Sequence, residues 1–175
     1  MSAEAASVPA WPDEVHAVLK AAGVRQAAYV PDAGHARLIE TLRADPEVAA
    51  IVLTTEEEGV AIAGGAWLGG QRSVLLMQSS GVGNCINMLS LAASCRFPLL
   101  ALVTMRGEWA EFNAWQAPMG AATEPALRLM GVRVLRVERA EEAAETVAAG
   151  AALAFDGDLA VAVLLSQRML GRKRW

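Results

Sequence analysis

The stretch "TTEEEGVAIAGGAWLGG" (54–70) places three consecutive glutamates in front of an uncharged run of small and apolar residues. It follows "AAIVLT" (49–54), a short apolar run typical of a buried strand. The run after the glutamates is long enough for a helix, so we predict that a strand leads directly into a largely apolar helix. The sequence therefore raises the question of why Glu56, Glu57 and Glu58 occupy this junction.

Short apolar runs rich in Val, Ile and Leu alternate with longer helical patterns along the chain. This alternation is typical of a parallel sheet with helices on both faces, so we predict a doubly wound α/β fold with a mainly parallel six-stranded sheet. The predicted strands are 27–31, 49–54, 73–78, 98–104, 133–138 and 159–166. The predicted helices lie roughly at 12–22, 34–44, 56–69, 83–95, 123–130 and 140–155. The stretch 105–122 has no clear period, and we expect a functional or interface loop there.

The composition indicates one domain over residues 1–175, because 54% of the residues are hydrophobic and no linker divides the chain. Charged residues make up 19% and the net charge is −4, so we expect no nucleic-acid binding. We expect a cytoplasmic protein without a membrane contact, since no signal peptide or bilayer-spanning run is evident. The basic end "GRKRW" (171–175) is expected to be a solvated tail.

The cysteines and histidines give no sign of a metal site. Cys85 and Cys95 belong to no CxxC or Cys/His cluster, and we expect both to be small buried hydrophobic residues. His16 and His35 likewise have no metal-binding spacing. The apolar composition also predicts that part of the surface faces another protein.

Ligands of open parallel sheets bind at the carboxyl ends of the strands. Five segments of this chain follow predicted strands and carry polar residues there. They are "VPDAGH" (30–35), "TTEEE" (54–58), "MQSSGVGN" (77–84), "VTMRGEW" (103–109) and "LLSQR" (164–168).

Glu56 directly follows a strand and opens the apolar helix. Its side chain can cap the helix N-terminus and still lie at the edge of a dry cavity, where a carboxyl group suits proton exchange with a nitrogen heterocycle. The alternative is that all three glutamates only stabilise the helix dipole.

The segment "SSGVGN" (79–84) is predicted to connect a strand to a helix, with glycines that let the backbone approach a ligand. A tight turn is the alternative. The dinucleotide fingerprint is incomplete because Ile86 stands where its last glycine belongs, and the P-loop and GxSxG signatures are absent. A stand-alone nucleotide-binding protein is therefore the weakest of the functions considered.

Three segments in order resemble the pyrimidine-binding (Pyr) domain of thiamine diphosphate-dependent 2-oxoacid decarboxylases. They are "TEEEGVAIAGGAWLGG" (55–70), "VLLMQSSGVGNCINMLSLA" (74–92) and "FPLLALVTMRGEWAEFNAWQAPMG" (97–120). The branch that they resemble most is the sulfopyruvate decarboxylase alpha subunit, with phosphonopyruvate decarboxylase as a near relative. The similarity runs from about residue 10 to 170.

The resemblance implies that Glu56 exchanges a proton with N1′ of the cofactor's aminopyrimidine ring, which promotes loss of the thiazolium C2 proton. Glu57 and Glu58 then point elsewhere, one of them into a subunit interface or solvent. The resemblance also implies a set of cofactor-binding residues, namely Glu56, Ser79, Ser80, Gly81, Gly83 and Asn84.

For the substrate, "VPDAGH" matches the family's "VPDS" loop, so Pro31 and Asp32 are predicted substrate residues. Ala33 departs from the family's Ser, and Ser79 stands where relatives carry Asn. His35 is either a substrate-side donor or an exposed histidine at a helix start. Arg106 either neutralises an anionic head group or pairs with Glu108. Sulfopyruvate is the first choice of substrate, with phosphonopyruvate or another acidic 2-oxoacid as the alternative.

The family's GDG motif, which binds diphosphate and Mg2+, is absent from this sequence. We therefore expect a partner beta subunit that carries the diphosphate-binding (PP) domain and holds Mg2+, in an α2β2 or larger assembly. The apolar helices near 56–69 and 83–95 are predicted to supply the interface. Loop packing is expected of four further residues that match the family, Trp109, Trp115, Gln116 and Met119. The alternative to an enzyme subunit is a Pyr-like module that holds or regulates a partner without turnover.

Overall fold

A computed structural model describes residues 10–171 of the chain. Its core is a six-stranded sheet in the order β2-β1-β3-β4-β6-β5, and every adjacent pair is parallel. The strands are β1 (Val24–Tyr29), β2 (Ala49–Val52), β3 (Arg72–Gln78), β4 (Leu99–Thr104), β5 (Arg133–Val137) and β6 (Ala160–Leu165). The predicted doubly wound α/β class is confirmed.

Helices cover both faces of the sheet. The α-helices are α1 (Trp11–Ala21), α2 (Ala36–Ala44), α3 (Glu57–Leu68), α4 (Ser79–Cys85), α5 (Leu89–Cys95), α6 (Ala117–Leu129), α7 (Ala143–Phe155) and α8 (Gln167–Leu170). Short 3-10 turns cover Ala33–His35, Ala114–Gln116 and Ala140–Glu142. Helices α1, α2 and α7 pack on one face, while α3, α4, α5 and α6 cover the other.

Strand β4 shows why the central strands are apolar along most of their length. All six of its residues are buried, since Leu100 and Leu102 pack into the α1/α2/α7 face and Ala101 and Val103 into the opposite face. Each buried leucine side chain stabilises the fold by roughly 2 kcal/mol. A parallel strand covered by helices on both sides is therefore apolar along its length, and the one polar residue of β4, Thr104, lies at its carboxyl end.

The segment after β3 differs from its prediction. Helix α4 begins at Ser79, so Gly81 and Gly83 lie within a helix and not in a connecting loop. A turn at 86–88 then separates α4 from α5, where a single helix over 83–95 was predicted. The sequence pattern was misleading because glycines weaken a helix in isolation, whereas here tertiary contacts require one of them, as shown below.

The predicted loop over 105–122 is also shorter than expected. Helix α6 begins at Ala117, and its Pro118 lies in the first turn, where a missing N–H costs nothing. Gly120, Thr123 and Leu127 are its buried positions at helical spacing. The helix predicted at 123–130 is thus only the second half of α6.

Two further expectations concern the surface. Cys85 is buried as predicted, but Cys95 is exposed at the end of α5, so that prediction was wrong. The basic tail from Arg172 onward lies outside the described residues and its prediction stays untested. Over residues 10–171, none of the helices combines the length and hydropathy needed to cross a membrane.

Candidate functional site

Polar side chains gather where the carboxyl ends of the central strands meet. Asp32 follows β1, Gln78 and Thr104 end β3 and β4, and Gln167 follows β6. The chain reverses its direction of winding between β1 and β3, and ligands of such sheets bind at that point. The structure therefore brings together residues from four separate segments at the carboxyl ends of the central strands.

Glu56 lies at the start of α3 and is only 9% exposed. Its Oε2 atom accepts a hydrogen bond of 2.8 Å from the amide Nδ2 of Asn84. No described residue donates to Oε1, and the predicted capping of α3 by this side chain is not formed. One carboxylate oxygen is thus held in place while the other remains open to a ligand.

Gly81 makes room for this carboxylate. A Cβ atom at position 81 would lie 2.4 Å from Cδ of Glu56, closer than two carbon atoms can approach. Any other residue at position 81 would therefore push the Glu56 side chain away. Packing against Glu56 therefore explains why position 81, although it lies within a helix, is a glycine.

The other two glutamates have local roles. Glu58 is exposed and accepts a hydrogen bond of 2.9 Å from the backbone N–H of Thr54, which ties the end of β2 to the first turn of α3. Glu57 accepts from the hydroxyl of Thr55 at 2.5 Å. Among the three, Glu56 is the residue whose carboxylate is buried against other segments of the chain.

Asp32 is held by three donors from three segments. Its Oδ1 accepts from Gln78 Nε2 at 3.0 Å, and its Oδ2 accepts from Thr104 Oγ1 at 2.7 Å and from the Gly34 N–H at 3.0 Å. Burial raises the pKa of Asp32. The hydrogen bond from Thr104, the nearby His35 and the hydrogen bonds from Gln78 and Gly34 together lower it by more, so the pKa of Asp32 lies below its ordinary value. Asp32 is therefore a carboxylate that ties three strand ends together.

Gln78 extends this network toward two further side chains. Its Oε1 accepts from Ser80 Oγ at 3.0 Å and from Gln116 Nε2 at 3.2 Å. Because the Asp32 carboxylate can only accept, it fixes the orientation of the Gln78 amide. Gln116 is buried, and its Oε1 has no hydrogen-bond partner among residues 10–171.

His35 is fully buried, so the alternative of an exposed histidine was wrong. Its Nε2 donates to the carbonyl oxygen of Leu102 at 3.1 Å, and its Nδ1 has no partner in the described part of the chain. Burial lowers the pKa of His35, and the Asp32 charge opposes this shift only in part. Burial therefore favours the neutral form of the imidazole, which lies away from solvent beneath the Asp32 network.

Arg106 pairs with Glu111, where the sequence suggested Glu108. Nε and Nη2 of Arg106 donate to the two carboxylate oxygens at 2.6 and 2.5 Å, and the guanidinium lies 5.4 Å from the centre of the Phe112 ring. Glu108 instead pairs with Arg136. Both side chains of the Arg106–Glu111 pair are almost completely buried.

Glu111 accepts five hydrogen bonds. Besides the two from Arg106, its oxygens accept from the N–H groups of Gly107 and Asn113 at 3.1 and 3.0 Å and from Gln167 Nε2 at 2.8 Å. The Arg106 bonds lower the pKa of Glu111 far below its ordinary value, although burial opposes this. Nothing in the sequence pattern indicated this residue.

A small cleft of about 150 Å³ opens beside Asp32 and Arg106. Its lining comprises Asp32, Ala33, Gly34, Thr104, Met105, Arg106, Gln167, Leu170 and Gly171. Among the lining residues that were not predicted individually, Thr104, Met105 and Gln167 lie in segments that follow predicted strands. The predicted substrate residues Asp32 and Arg106 thus meet in one cleft, next to the exposed Pro31.

Ser79 does not face this cleft. Its side chain is fully buried, and its hydroxyl accepts the backbone N–H of Arg106 at 3.0 Å. Gly83 and Asn84 are exposed on α4, and Ser80 is half-buried. Of the predicted cofactor residues, Glu56, Gly81 and Asn84 form one contacting group, and Ser80 joins the Asp32 network through Gln78.

An apolar groove of about 480 Å³ lies on the face of the molecule formed by α3 and α5. It is lined by Ala61, Gly64, Gly65, Trp67, Leu68, Leu91, Cys95 and Phe97. Leu68 is 89% exposed, although apolar side chains of this size are usually buried. We refer to this surface as the α3/α5 groove.

In the described part of the chain, no group of three or more His, Cys, Asp or Glu residues could hold a metal ion.

Comparisons with known proteins agree on one family. Residues 13–127 match the family described as "Thiamine pyrophosphate enzyme, N-terminal TPP binding domain". The chain is 36% identical to sulfopyruvate decarboxylase subunit alpha of Methanothermobacter thermautotrophicus over 154 residues, covering 87% of this chain and 93% of that subunit. It is 32% identical to the same subunit of Methanococcus maripaludis over 154 residues, covering 87% of this chain and 92% of that one.

A solved structure supports the fold. The structure of 2-oxoglutarate:ferredoxin oxidoreductase from Magnetococcus marinus, with 2-oxoglutarate, coenzyme A and succinyl-CoA bound, superposes with a TM-score of 0.71 at 18% identity. The match covers 94% of this chain and 31% of that chain, so this chain spans about a third of it. The family match over residues 13–127 and the sequence relatives show that the chain belongs to the thiamine pyrophosphate enzyme family, as its N-terminal TPP-binding domain.

Proposed function

We propose that this chain is the alpha, Pyr-domain subunit of a heteromeric thiamine diphosphate-dependent decarboxylase that converts sulfopyruvate to sulfoacetaldehyde and CO2. The observation that carries the proposal is the Glu56 carboxylate, which is 9% exposed, held at Oε2 by Asn84 and open at Oε1 among the described residues. The naming of its relatives as sulfopyruvate decarboxylase alpha subunits supports the substrate and the subunit role.

The residues around Glu56 fit an aminopyrimidine ring. The open Oε1 can accept a proton from a ring nitrogen, and Asn84 keeps the carboxylate in one orientation while this happens. Gly81 leaves the space that the carboxylate needs. When bound, thiamine diphosphate would supply the electron sink for the decarboxylation. The role of this chain is to hold the pyrimidine and to exchange a proton at Oε1 of Glu56.

The exposed residues Gly83 and Asn84 and the half-buried Ser80 lie on α4 beside Glu56 and are proposed to flank the cofactor. Because the hydroxyl of Ser79 is already engaged with Arg106, we propose that Ser79 contributes through the backbone only. Its replacement of the family's Asn therefore affects the packing of the 106–113 segment more than the cofactor.

We propose that the substrate lies in the cleft between Asp32 and Arg106, close to Pro31 and Ala33. Arg106 is a cation at the cleft wall and suits an acidic head group. His35 is buried beneath Asp32 and is proposed to support the network without touching the substrate.

We propose that the partner is a beta subunit with a PP domain, that this subunit holds the diphosphate and Mg2+, and that the two form an α2β2 or larger assembly. The α3/α5 groove supports a protein interface, because its exposed Trp67, Leu68 and Leu91 would be covered on assembly. Leu68→Glu places a charge at this surface. It is expected to weaken association with the partner in sedimentation experiments and to leave the melting temperature of the isolated chain unchanged.

The decisive experiment is calorimetric titration of thiamine diphosphate and Mg2+ into the purified chain, alone and together with a PP-domain beta subunit. An assay for CO2 release from sulfopyruvate, phosphonopyruvate and pyruvate follows. We expect binding and turnover only in the mixture, with sulfopyruvate preferred. Binding without turnover would favour a regulatory Pyr-like module, and the absence of binding in both cases would contradict the cofactor assignment.

A further inference from the structure

The segment 106–113, which we refer to as the 106–113 loop, is held at the cleft by side chains that the sequence pattern did not indicate. At its start, Gly107 has a φ of +76° and a Cβ there would lie 2.2 Å from the Gln116 carbonyl oxygen. The loop therefore folds back tightly on the approach to α6. At its centre, Glu111 gathers five donors, and Gln167 connects it to the end of β6.

We propose that Glu111 is a positioning residue that holds Arg106 so that the remaining N–H groups of its guanidinium face the cleft and recognise the acidic head group of the substrate. The inference rests on the proposed function. It identifies Glu111, acting through Arg106, as the residue that determines selectivity for a 2-oxoacid with a second acidic group.

The hydrogen bonds of Arg106 support this role. A guanidinium has five N–H donors, and Glu111 takes up Nε and one bond from Nη2. No described residue accepts from Nη1, although Arg106 is 9% exposed and lines the cleft. The fork geometry of the remaining donors suits the paired oxygens of a sulfonate or phosphonate.

The charge balance of the cleft also supports recognition of an acidic head group by Arg106. The two carboxylates near Arg106 have their oxygens occupied, since Asp32 accepts three hydrogen bonds and Glu111 accepts five. Donors that surround a carboxylate offset its charge, so an incoming anion meets less repulsion than two bare carboxylates would produce. The cleft can therefore accept an anion despite the acidic groups beside it.

Gln167 couples this arrangement to the backbone of the 106–113 loop. Its Nε2 donates to Glu111, while its Oε1 accepts from the N–H groups of Glu108 and Trp109 at 3.1 and 3.0 Å. Its own N–H donates to the Glu108 carboxylate at 2.8 Å. The orientation of Arg106 thus depends on two residues, Glu111 directly and Gln167 through Glu111.

The test compares substrates in the complex with the PP-domain subunit. For wild type and Glu111→Gln, kcat/KM is measured with sulfopyruvate and with pyruvate, which lacks the second acidic group. We expect Glu111→Gln to lower the ratio of the two values at least tenfold, mainly through a higher KM for sulfopyruvate. Gln167→Met keeps the side-chain volume and the Arg106–Glu111 pair, and should lower the ratio by a smaller factor. Glu40→Gln removes an exposed carboxylate that pairs with Arg37, outside the cleft, and serves as the control.

Equal losses for both substrates in Glu111→Gln and in Gln167→Met would overturn the proposal, because they indicate a purely structural role. A second measurement does not depend on turnover. In 15N–1H spectra of the complex, with only this chain 15N-labelled, the Arg106 Nε–H signal, assigned with Arg106→Lys, is expected to shift on addition of sulfopyruvate and not of pyruvate. An Arg106 signal that does not respond to sulfopyruvate would overturn the positioning role of Glu111. A response to sulfopyruvate without turnover in the complex would contradict only the proposed decarboxylase activity and would leave the positioning role intact.

Discussion

Glu111 and Glu56, two mostly buried carboxylates at the carboxyl ends of the strands, differ in how many hydrogen bonds they accept. Glu111 accepts five hydrogen bonds, two of them from a buried guanidinium, and its pKa is lowered far below the ordinary range because of the Arg106 bonds. Glu56 is buried to a similar degree but accepts one hydrogen bond among the described residues. The difference distinguishes a carboxylate that holds the structure from one that is available for chemistry.

The physical reason is the cost of desolvation. A buried charged group whose oxygens are all paired is stable and has nothing left to offer a ligand. A buried carboxylate with an open oxygen has lost part of its hydration without full compensation, and a ligand that donates to that oxygen restores the balance. Such groups are found at functional sites more often than elsewhere.

The largest expected effect comes from Glu56→Gln. Loss of a group that exchanges a proton in the reaction lowers activity by roughly 100-fold to 10,000-fold. We expect this loss in CO2 release by the complex, while urea unfolding of the variant shows no loss of stability, because the side chain it replaces is incompletely paired. Glu57→Gln, at the half-buried neighbour, is the matched control and should keep its activity.

Glu111→Gln should show the reverse pattern. Removing the partner of a buried guanidinium is expected to cost about 3 kcal/mol in the free energy of unfolding at pH 7, measured with urea. Because the pKa of Glu111 is lowered on folding, its contribution is fully present above its ordinary value of 4.5 and is lost as the pH falls through the lower folded value. The gap between wild type and variant should therefore narrow at pH 3. A gap of the same size at both pH values would contradict a stabilising ion pair.

Gly81→Ala tests the space beside Glu56. The new methyl group would meet the carboxylate at 2.4 Å, and this flexible side chain can move away, so the fold should persist. We expect activity to fall about 10-fold to 100-fold, because a displaced catalytic group loses its alignment. In the double variant Glu56→Gln, Gly81→Ala, the second change should add nothing to the first. Additive losses would show that Gly81 acts independently of Glu56.

Gln167→Met should destabilise the chain less than Glu111→Gln does. It removes the acceptor of two backbone N–H groups, Glu108 and Trp109, and one donor to Glu111. Since a hydrogen bond contributes roughly 1 kcal/mol net, we expect a loss of about 1 to 2 kcal/mol in urea unfolding. Faster hydrogen exchange at Glu108 and Trp109 would locate the change in the 106–113 loop, and unchanged exchange there would contradict the anchoring role of Gln167.

The fold could be predicted closely because periodicity carries the information. The six apolar runs predicted as strands correspond to β1 to β6, because short runs rich in Val, Ile and Leu are typical of strands in a parallel sheet. The errors fall where tertiary contacts override local preference. Helix α4 contains Gly81 because Glu56 needs the space, and the start of α6 was missed because its small and polar residues show no apolar period.

The candidate site was predicted in part. The segments that carry Glu56, Asp32 and Arg106 were predicted because each follows a strand at the carboxyl ends of the sheet, and the family resemblance added Asp32 as a predicted substrate residue. Their partners could not be read from spacing. Glu108 is nearer to Arg106 in sequence, but Glu111 is the residue that the turn of the loop brings to the guanidinium. The burial of His35 and the exposure of Cys95 likewise depend on how neighbouring elements pack.

The sequence by itself determined the layered α/β architecture, the end of the sheet that carries the polar residues and the position of the three glutamates at a junction between a strand and a helix. Hydrophobic period and strand order along the chain are local properties, so they can be read directly. Only the tertiary structure decided which carboxylate is saturated and which has an open oxygen. Hydrogen-bond satisfaction depends on donors from distant segments, such as Asn84 for Glu56 and Gln167 for Glu111, and the chain brings them together only when it folds.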